Sequence, residues 1–188
     1  SASGKSSYAE SFAMSLQGEG RLLYIATMYP YKWNTTEIDP ETMQRIERHR
    51  AMRADKGFDT VECYRHVEHI VAKRQDVLLL ECMSNLLANE MYLEPDSNAG
   101  SDMAETMSPV SNKIVQALID LSTRVQELVI VTNDVFSDGG SLTYDESTRE
   151  YVKNLAEINC ALAREAATVT EVVCGIPVIV KKNHPMGK

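Results

Sequence analysis

The sequence predicts one α/β domain, residues 1–188, built around a largely parallel central sheet. Three aliphatic runs of about five residues, at 22–26, 77–81 and 128–132, are typical of strands that are buried on both faces. Stretches with helical apolar spacing separate these runs. Alternating strand and helix patterns are typical of a parallel sheet covered by helices. We find no internal repeats.

The helices are predicted in order along the chain. The first follows Ser6, and the second begins at Asp39-Pro40, where Asp can cap and Pro is tolerated at the first helical position. It ends near Arg53, before the turn signal Lys56-Gly57. Further helices are predicted over 62–73, 84–92, 110–125 and 145–167.

The remaining segments are predicted to be loops and a terminal strand. Residues 94–109 and 138–141 are rich in small polar residues, which is typical of exposed loops. Residues 172–180 have a strand pattern that Gly175 and Pro177 interrupt, so we expect a bent strand or a hairpin there.

Composition excludes several functional classes. A net charge of −8 and an aromatic content of 6% argue against a nucleic-acid partner. No apolar run approaches the roughly 20 residues that span a bilayer, and no signal-peptide pattern opens the chain. The four cysteines lie at scattered positions and are expected to be reduced thiols. These features predict a cytoplasmic protein without an integral membrane segment.

The chain opens with a candidate phosphate-binding loop, Ser1-Ala2-Ser3-Gly4-Lys5-Ser6. It matches the second half of the GxxxxGK[ST] motif, and its first glycine and preceding strand are expected to lie before Ser1. Gly4 lets the backbone approach a phosphate, and the amides of a helix N-terminus point at the anion. Lys5 would reach the β and γ phosphates, while the Ser6 hydroxyl would bind Mg²⁺. An ordinary helix cap is the alternative interpretation.

Further blocks follow in a fixed order: Leu23-Tyr24-Ile25-Ala26-Thr27, Arg45-Ile46-Glu47-Arg48-His49-Arg50, Leu79-Leu80-Glu81-Cys82, Val131-Thr132-Asn133-Asp134-Val135, Asn159, and Val173-Cys174-Gly175-Ile176-Pro177. Along nearly its whole length the chain resembles the family of bifunctional adenosylcobinamide kinases and adenosylcobinamide-phosphate guanylyltransferases.

The resemblance implies a P-loop NTPase-like, RecA-like three-layer fold, commonly assembled as a homotrimer. It also implies two reactions of cobalamin synthesis. The first phosphorylates adenosylcobinamide with a nucleoside triphosphate, GTP or ATP. The second transfers GMP from GTP to that phosphate through a guanylylated histidine, which is His49 by its position in the block. Arg48 stands where the family often has a second histidine.

The same resemblance assigns the nucleotide contacts. They fall on Ser1, Ala2, Ser3, Gly4, Lys5, Ser6, Ala26, Thr27, Met28, Arg50, Ala51, Met52, Arg53, Glu62 and Glu81. Glu81 ends an apolar strand at the edge where ligands gather in open α/β folds, so it is also the candidate Mg²⁺ ligand beside Ser6. Asp134 is the rival carboxylate.

The chemistry of the helix around His49 suits a phosphorus nucleophile. Arg45 and Arg53 lie four residues to either side, on the same helix face. Their positive charge favours the neutral imidazole, which is the attacking form, and could stabilise the triphosphate. The alternative is an exposed helix with mixed charges.

Other interpretations remain open. Cys63, His66 and His69 could suggest zinc, but steps of three drift around a helix and no fourth ligand is evident. A P-loop kinase without guanylyl transfer would not be labelled covalently by GTP. A nucleotide-regulated binding module would bind GTP without turnover.

Overall fold

The computed structural model describes residues 3–32, 35–93, 107–133 and 144–183. In this described part of the chain four parallel strands form the central sheet: β1 (Leu22–Ala26), β2 (Phe58–Glu62), β3 (Val77–Glu81) and β4 (Glu127–Val131). Their order across the sheet is β2-β1-β3-β4. The predicted α/β class and parallel sheet are confirmed. The expectations for Ser1, Ala2, residues 94–106, Asp134 and residues 138–141 fall outside the described residues.

Among the described residues five α-helices accompany this sheet: α1 (Lys5–Leu16), α2 (Pro40–Arg53), α3 (Met83–Tyr92), α4 (Pro109–Arg124) and α5 (Glu146–Glu165). Local caps explain two of the starts, because the side chains of Ser108 and Asp145 accept the backbone N–H groups of Ser111 and Thr148. An antiparallel hairpin of β5 (Thr168–Val173) and β6 (Ile176–Lys182) follows, which confirms the hairpin interpretation.

The sheet divides two hydrophobic layers, so the fold has three layers. On one face, Leu23, Ile25 and Leu78 pack with α3, α4 and α5. On the other face, Tyr24 and Leu79 pack with α1. Alternate residues of each strand reach opposite faces, which is why the central strands are aliphatic throughout.

The predicted helix over 62–73 is wrong. The chain forms β2 up to Glu62 and then an irregular segment with a short 3-10 turn, Val67–His69. His66 has a left-handed backbone (φ 56°), which interrupts any helix, and its N–H donates to the buried Glu90 carboxylate at 2.7 Å. Glu90 lies on α3, so a tertiary contact decides the local conformation.

Within the described residues no helix is long and apolar enough to cross a membrane. The four cysteines are free thiols, as expected.

Candidate functional site

The start of α1 forms a tight junction with the hairpin turn. Gly4 precedes the helix with a left-handed backbone (φ 82°), and the N–H of Gly175 donates to the Ser3 carbonyl at 2.8 Å. A Cβ atom on Gly4 would lie 3.0 Å from the Gly175 Cα. Glycine is therefore required at position 4 by both backbone conformation and space.

Lys5 points to the carboxyl edge of the sheet. Its ammonium group donates to the Asn133 side chain, just beyond β4. The Asn133 amide donates to Ser84 Oγ at 2.8 Å, and Asn159 holds the Asn133 carbonyl at 3.1 Å. Asn133 thus joins the candidate site, although sequence reasoning had given it no role. Its position directly after a buried strand was the available signal.

Glu81 has a carboxylate oxygen suited to a cation. Its Oε2 atom is buried and has no hydrogen-bond partner within the described part of the chain. Burial and the negative charge of Glu81 raise the pKa of Tyr24, which lies on the neighbouring strand β1. A buried carboxylate oxygen without a partner is costly unless a ligand satisfies it.

Two predicted metal sites can be compared. No group of three or more His, Cys, Asp or Glu residues in the described chain could hold a metal, which counts against zinc at Cys63, His66 and His69. The His66 ring instead contacts Glu68 at 3.1 Å and stacks on His69. Mg²⁺ bound with a nucleotide needs only one or two protein ligands beside phosphates and water, so Ser6 with Glu81 fits that chemistry.

The helix that carries His49 is polar and is attached through its C-terminal end. Arg53 is the one buried residue of α2. Its guanidinium carbon lies 3.4 Å from the centre of the Tyr24 ring, and Nη1 donates to the His49 carbonyl at 3.0 Å. Arg53 therefore attaches α2 to the sheet. Arg45 is exposed and His49 is half-buried.

Two predicted nucleotide contacts are paired with each other. Arg50 forms an ion pair with Glu62 at the end of β2. The Tyr64 hydroxyl donates to the other Glu62 oxygen at 2.9 Å. Ala51 and Met52 are exposed on α2. The pair joins the His49 helix to the edge of the sheet.

The segment after β1 contains a buried residue, Thr27, and a residue that lines a pocket, Met28. Thr27 is buried, and its hydroxyl donates to the Cys82 carbonyl at 2.9 Å while accepting the Cys82 N–H at 2.8 Å. Ala26 is half-buried. Met28 lines a pocket of about 420 Å³ that Arg45 also lines. The structure thus brings Met28 together with the helix face that carries His49.

Tyr24 lies between the helix that carries His49 and the predicted residues at the carboxyl edge of the sheet. Its ring carries Arg53 of the His49 helix, and Glu81 beside it belongs to the same sheet edge as Lys5 and Asn133. A parallel sheet with a glycine-started helix, a lysine and a carboxylate with one unpartnered oxygen at its carboxyl edge defines a P-loop type nucleotide-binding protein.

A comparison with protein families identifies which kind of nucleotide-binding protein this is. The family described as cobinamide kinase / cobinamide phosphate guanyltransferase matches residues 1–180, nearly the whole chain. The chain belongs to this family, and it is a transferase of cobalamin biosynthesis that uses GTP or ATP as nucleotide substrate. A comparison with individual curated proteins gives no match.

Proposed function

We propose that the chain transfers GMP through a covalent intermediate on His49. The imidazole nitrogen would attack the α-phosphorus of GTP, the bond to the bridging oxygen would break, and pyrophosphate would leave. The phosphate oxygen of cobinamide phosphate would then attack the same phosphorus, and the P–N bond would break to free His49. Two displacements of this kind replace one difficult step.

The observation that carries this proposal is the attachment of α2. Arg53 and the Arg50–Glu62 pair fix the C-terminal end of the helix to the sheet, while Arg45 lines the pocket with Met28. Along the helix His49 comes after Arg45 and before Arg50 and Arg53, and its spacing of four residues from Arg45 puts both on one face. A guanidinium at that position could stabilise charge on the transferring phosphoryl group.

For the kinase step we propose that the triphosphate lies on residues 1–6. Lys5 would exchange its contact with Asn133 for the β and γ phosphates. Ser6 and Glu81 would hold Mg²⁺, which neutralises phosphate charge. The unpartnered Oε2 of Glu81 supports this assignment. Arg50, Ala51, Met52, Arg53 and Glu62 remain predicted nucleotide contacts.

The finer assignments follow from the resemblance. We propose adenosylcobinamide as the corrinoid substrate, a single cytoplasmic domain, and a homotrimer. The exposed aliphatic side chains of the hairpin support self-association, because exposed apolar patches are typical of interfaces. They are Val173, Ile176, Val178, Ile179 and Val180.

Separating the two half-reactions tests the role of His49. In His49→Ala, cobinamide phosphate should form and accumulate, whereas cobinamide-GDP should fall by about three orders of magnitude, because a covalent nucleophile has no substitute. Chromatography of corrinoid products after incubation with Mg²⁺ and GTP measures both.

Arg48→Ala is the matched control, because Arg48 is the exposed neighbour of His49 on the same helix. It should make both products at close to the wild-type rate. Normal cobinamide-GDP formation by His49→Ala would contradict the proposal.

A further inference from the structure

A large cleft lies beside the proposed nucleotide site. It has a volume of about 1480 Å³ and opens at the carboxyl end of β2. Ligand pockets are typically about 300–1,000 Å³, so this cleft exceeds what a nucleotide needs. The pocket that Met28 and Arg45 line is less than a third as large, at about 420 Å³.

The lining of the cleft combines aromatic and aliphatic side chains with polar ones, among them Thr35, Thr36 and His69. Its walls include Tyr29, Tyr64, Tyr92, Ile70, Val71 and Leu93. The Tyr29 and Tyr64 rings meet edge to face with centres 5.4 Å apart. Such a surface offers flat apolar contact, while the hydroxyls of Tyr64 and Tyr92 are held by Glu62 and Ser147.

The charges of the cleft do not favour a triphosphate. Arg65 lies 3.6 Å from the buried Glu90 carboxylate, and the His66 ring lies 3.1 Å from Glu68. Glu62, which also lines the cleft, is paired with Arg50. Because Arg65 and Glu62 both have charged partners within the protein, the cleft suits a ligand held by apolar surface and amide hydrogen bonds.

Hydrogen bonds hold one wall of the cleft in place, and the cleft adjoins the smaller pocket. Glu90 holds the wall by accepting the His66 N–H at 2.7 Å and the Lys113 ammonium at 3.1 Å. Tyr29 lines both the cleft and the smaller pocket. The Arg50–Glu62 pair joins the cleft lining to the His49 helix. A ligand in the cleft would therefore lie next to the helix that carries the nucleophile.

We propose that this cleft binds the corrin macrocycle of the substrate. A corrinoid is a broad, nearly flat ring with an apolar face and a periphery of amide groups, which matches the mixture of tyrosines, aliphatic side chains and polar groups in the lining. The proposal rests on the proposed function, since it places the acceptor beside His49. Val71 borders the cleft with its side chain 86% exposed, so it can be changed without disturbing the core.

Equilibrium dialysis with cobinamide, followed by its visible absorbance, tests the assignment. Val71→Glu should weaken cobinamide binding by about tenfold, because binding would bury the introduced carboxylate against the apolar macrocycle. Tyr92→Ala should weaken binding similarly, while Tyr92→Phe, which keeps the ring, should bind nearly as the wild type does. Met14→Glu is the control: Met14 is also an exposed apolar residue, but it lies on α1 and does not line the cleft.

Covalent labelling of each variant by GTP separates the two proposals. Weak cobinamide binding with normal labelling supports the cleft assignment. Unchanged cobinamide binding in Val71→Glu and Tyr92→Ala with normal labelling overturns the cleft assignment and leaves the function of His49 standing. Loss of labelling together with cobinamide binding also overturns it, because the cleft would then be part of the nucleotide site.

Discussion

Arg53 shows how one residue attaches a polar helix to an apolar sheet. Its guanidinium lies on the Tyr24 ring and also binds the His49 carbonyl. Cation–π contacts of a desolvated arginine contribute about 2 kcal/mol, which is substantial for a helix with no other buried residue. Arg53 therefore positions the candidate nucleophile, His49, through its backbone carbonyl.

A second prediction for a single residue concerns the reactivity of the Cys63 thiol. Burial, together with the negative charges of Glu68 and Glu90, raises the pKa of its thiol to about 11. At pH 8 almost no thiolate is present, so iodoacetamide should modify Cys63 at least about tenfold more slowly than the exposed Cys160 and Cys174. Peptide mass spectrometry over a time course measures the three rates. Equal rates would contradict the described packing of the wall around Cys63.

The identities of candidate residues could be predicted from sequence, but their partners could not. The Gly4-Lys5-Ser6 motif and the block around His49 are local patterns with a chemical meaning. The contact between Lys5 and Asn133 joins residues 128 positions apart, and no local pattern specifies it. The same holds for the contact between Arg53 and Tyr24.

At the scale of elements, Asp76 ties the beginnings of two neighbouring strands. Its carboxylate accepts the Arg21 N–H before β1 at 3.0 Å, the Arg21 guanidinium at 2.6 Å, and the Lys73 N–H at 2.8 Å. Burial by itself would raise the pKa of Asp76, but these donors outweigh it and lower the pKa to about 2. Folding therefore favours the charged form of the Asp76 carboxylate.

This carboxylate predicts a pH-dependent stability. Because the folded pKa of about 2 lies below the ordinary value of about 3.9, the stabilisation is present above pH 4 and is lost as the pH falls toward 2. Asp76→Ala should lower the free energy of unfolding by about 2 kcal/mol at pH 7 and by much less near pH 2. Urea unfolding at both pH values measures the difference. The exposed Asp120→Ala should change little at either pH, and a loss in Asp76→Ala that did not depend on pH would contradict the account.

Strands could be predicted from the sequence where both of their faces are buried. Strands β1 and β3 are aliphatic because both faces are covered, and their bounds match the prediction. Strand β2 was missed because it lies at the sheet edge and carries Asp59, Thr60 and Glu62, which are exposed. The turn after it depends on Glu90 of α3, so the helix predicted there did not form.

At the scale of the molecule, the carboxyl edge of the sheet brings two pockets together around one helix. The smaller pocket adjoins Arg45 and the larger one adjoins Glu62, and both share Tyr29. Consecutive phosphoryl and guanylyl transfers need nucleotide and acceptor side by side, since positioning supplies much of such catalysis. The arrangement follows from the order of the parallel strands and from the loops that leave their ends.

The central claim is that His49 carries GMP between the two substrates. Incubation of the protein with Mg²⁺ and GTP labelled at the α phosphate measures this most directly. We predict a label on the wild-type protein that acid removes and base does not, as for a phosphoramidate, and no label on His49→Ala. Equal labelling of His49→Ala, or no label on a folded wild-type protein that binds GTP, would contradict the account.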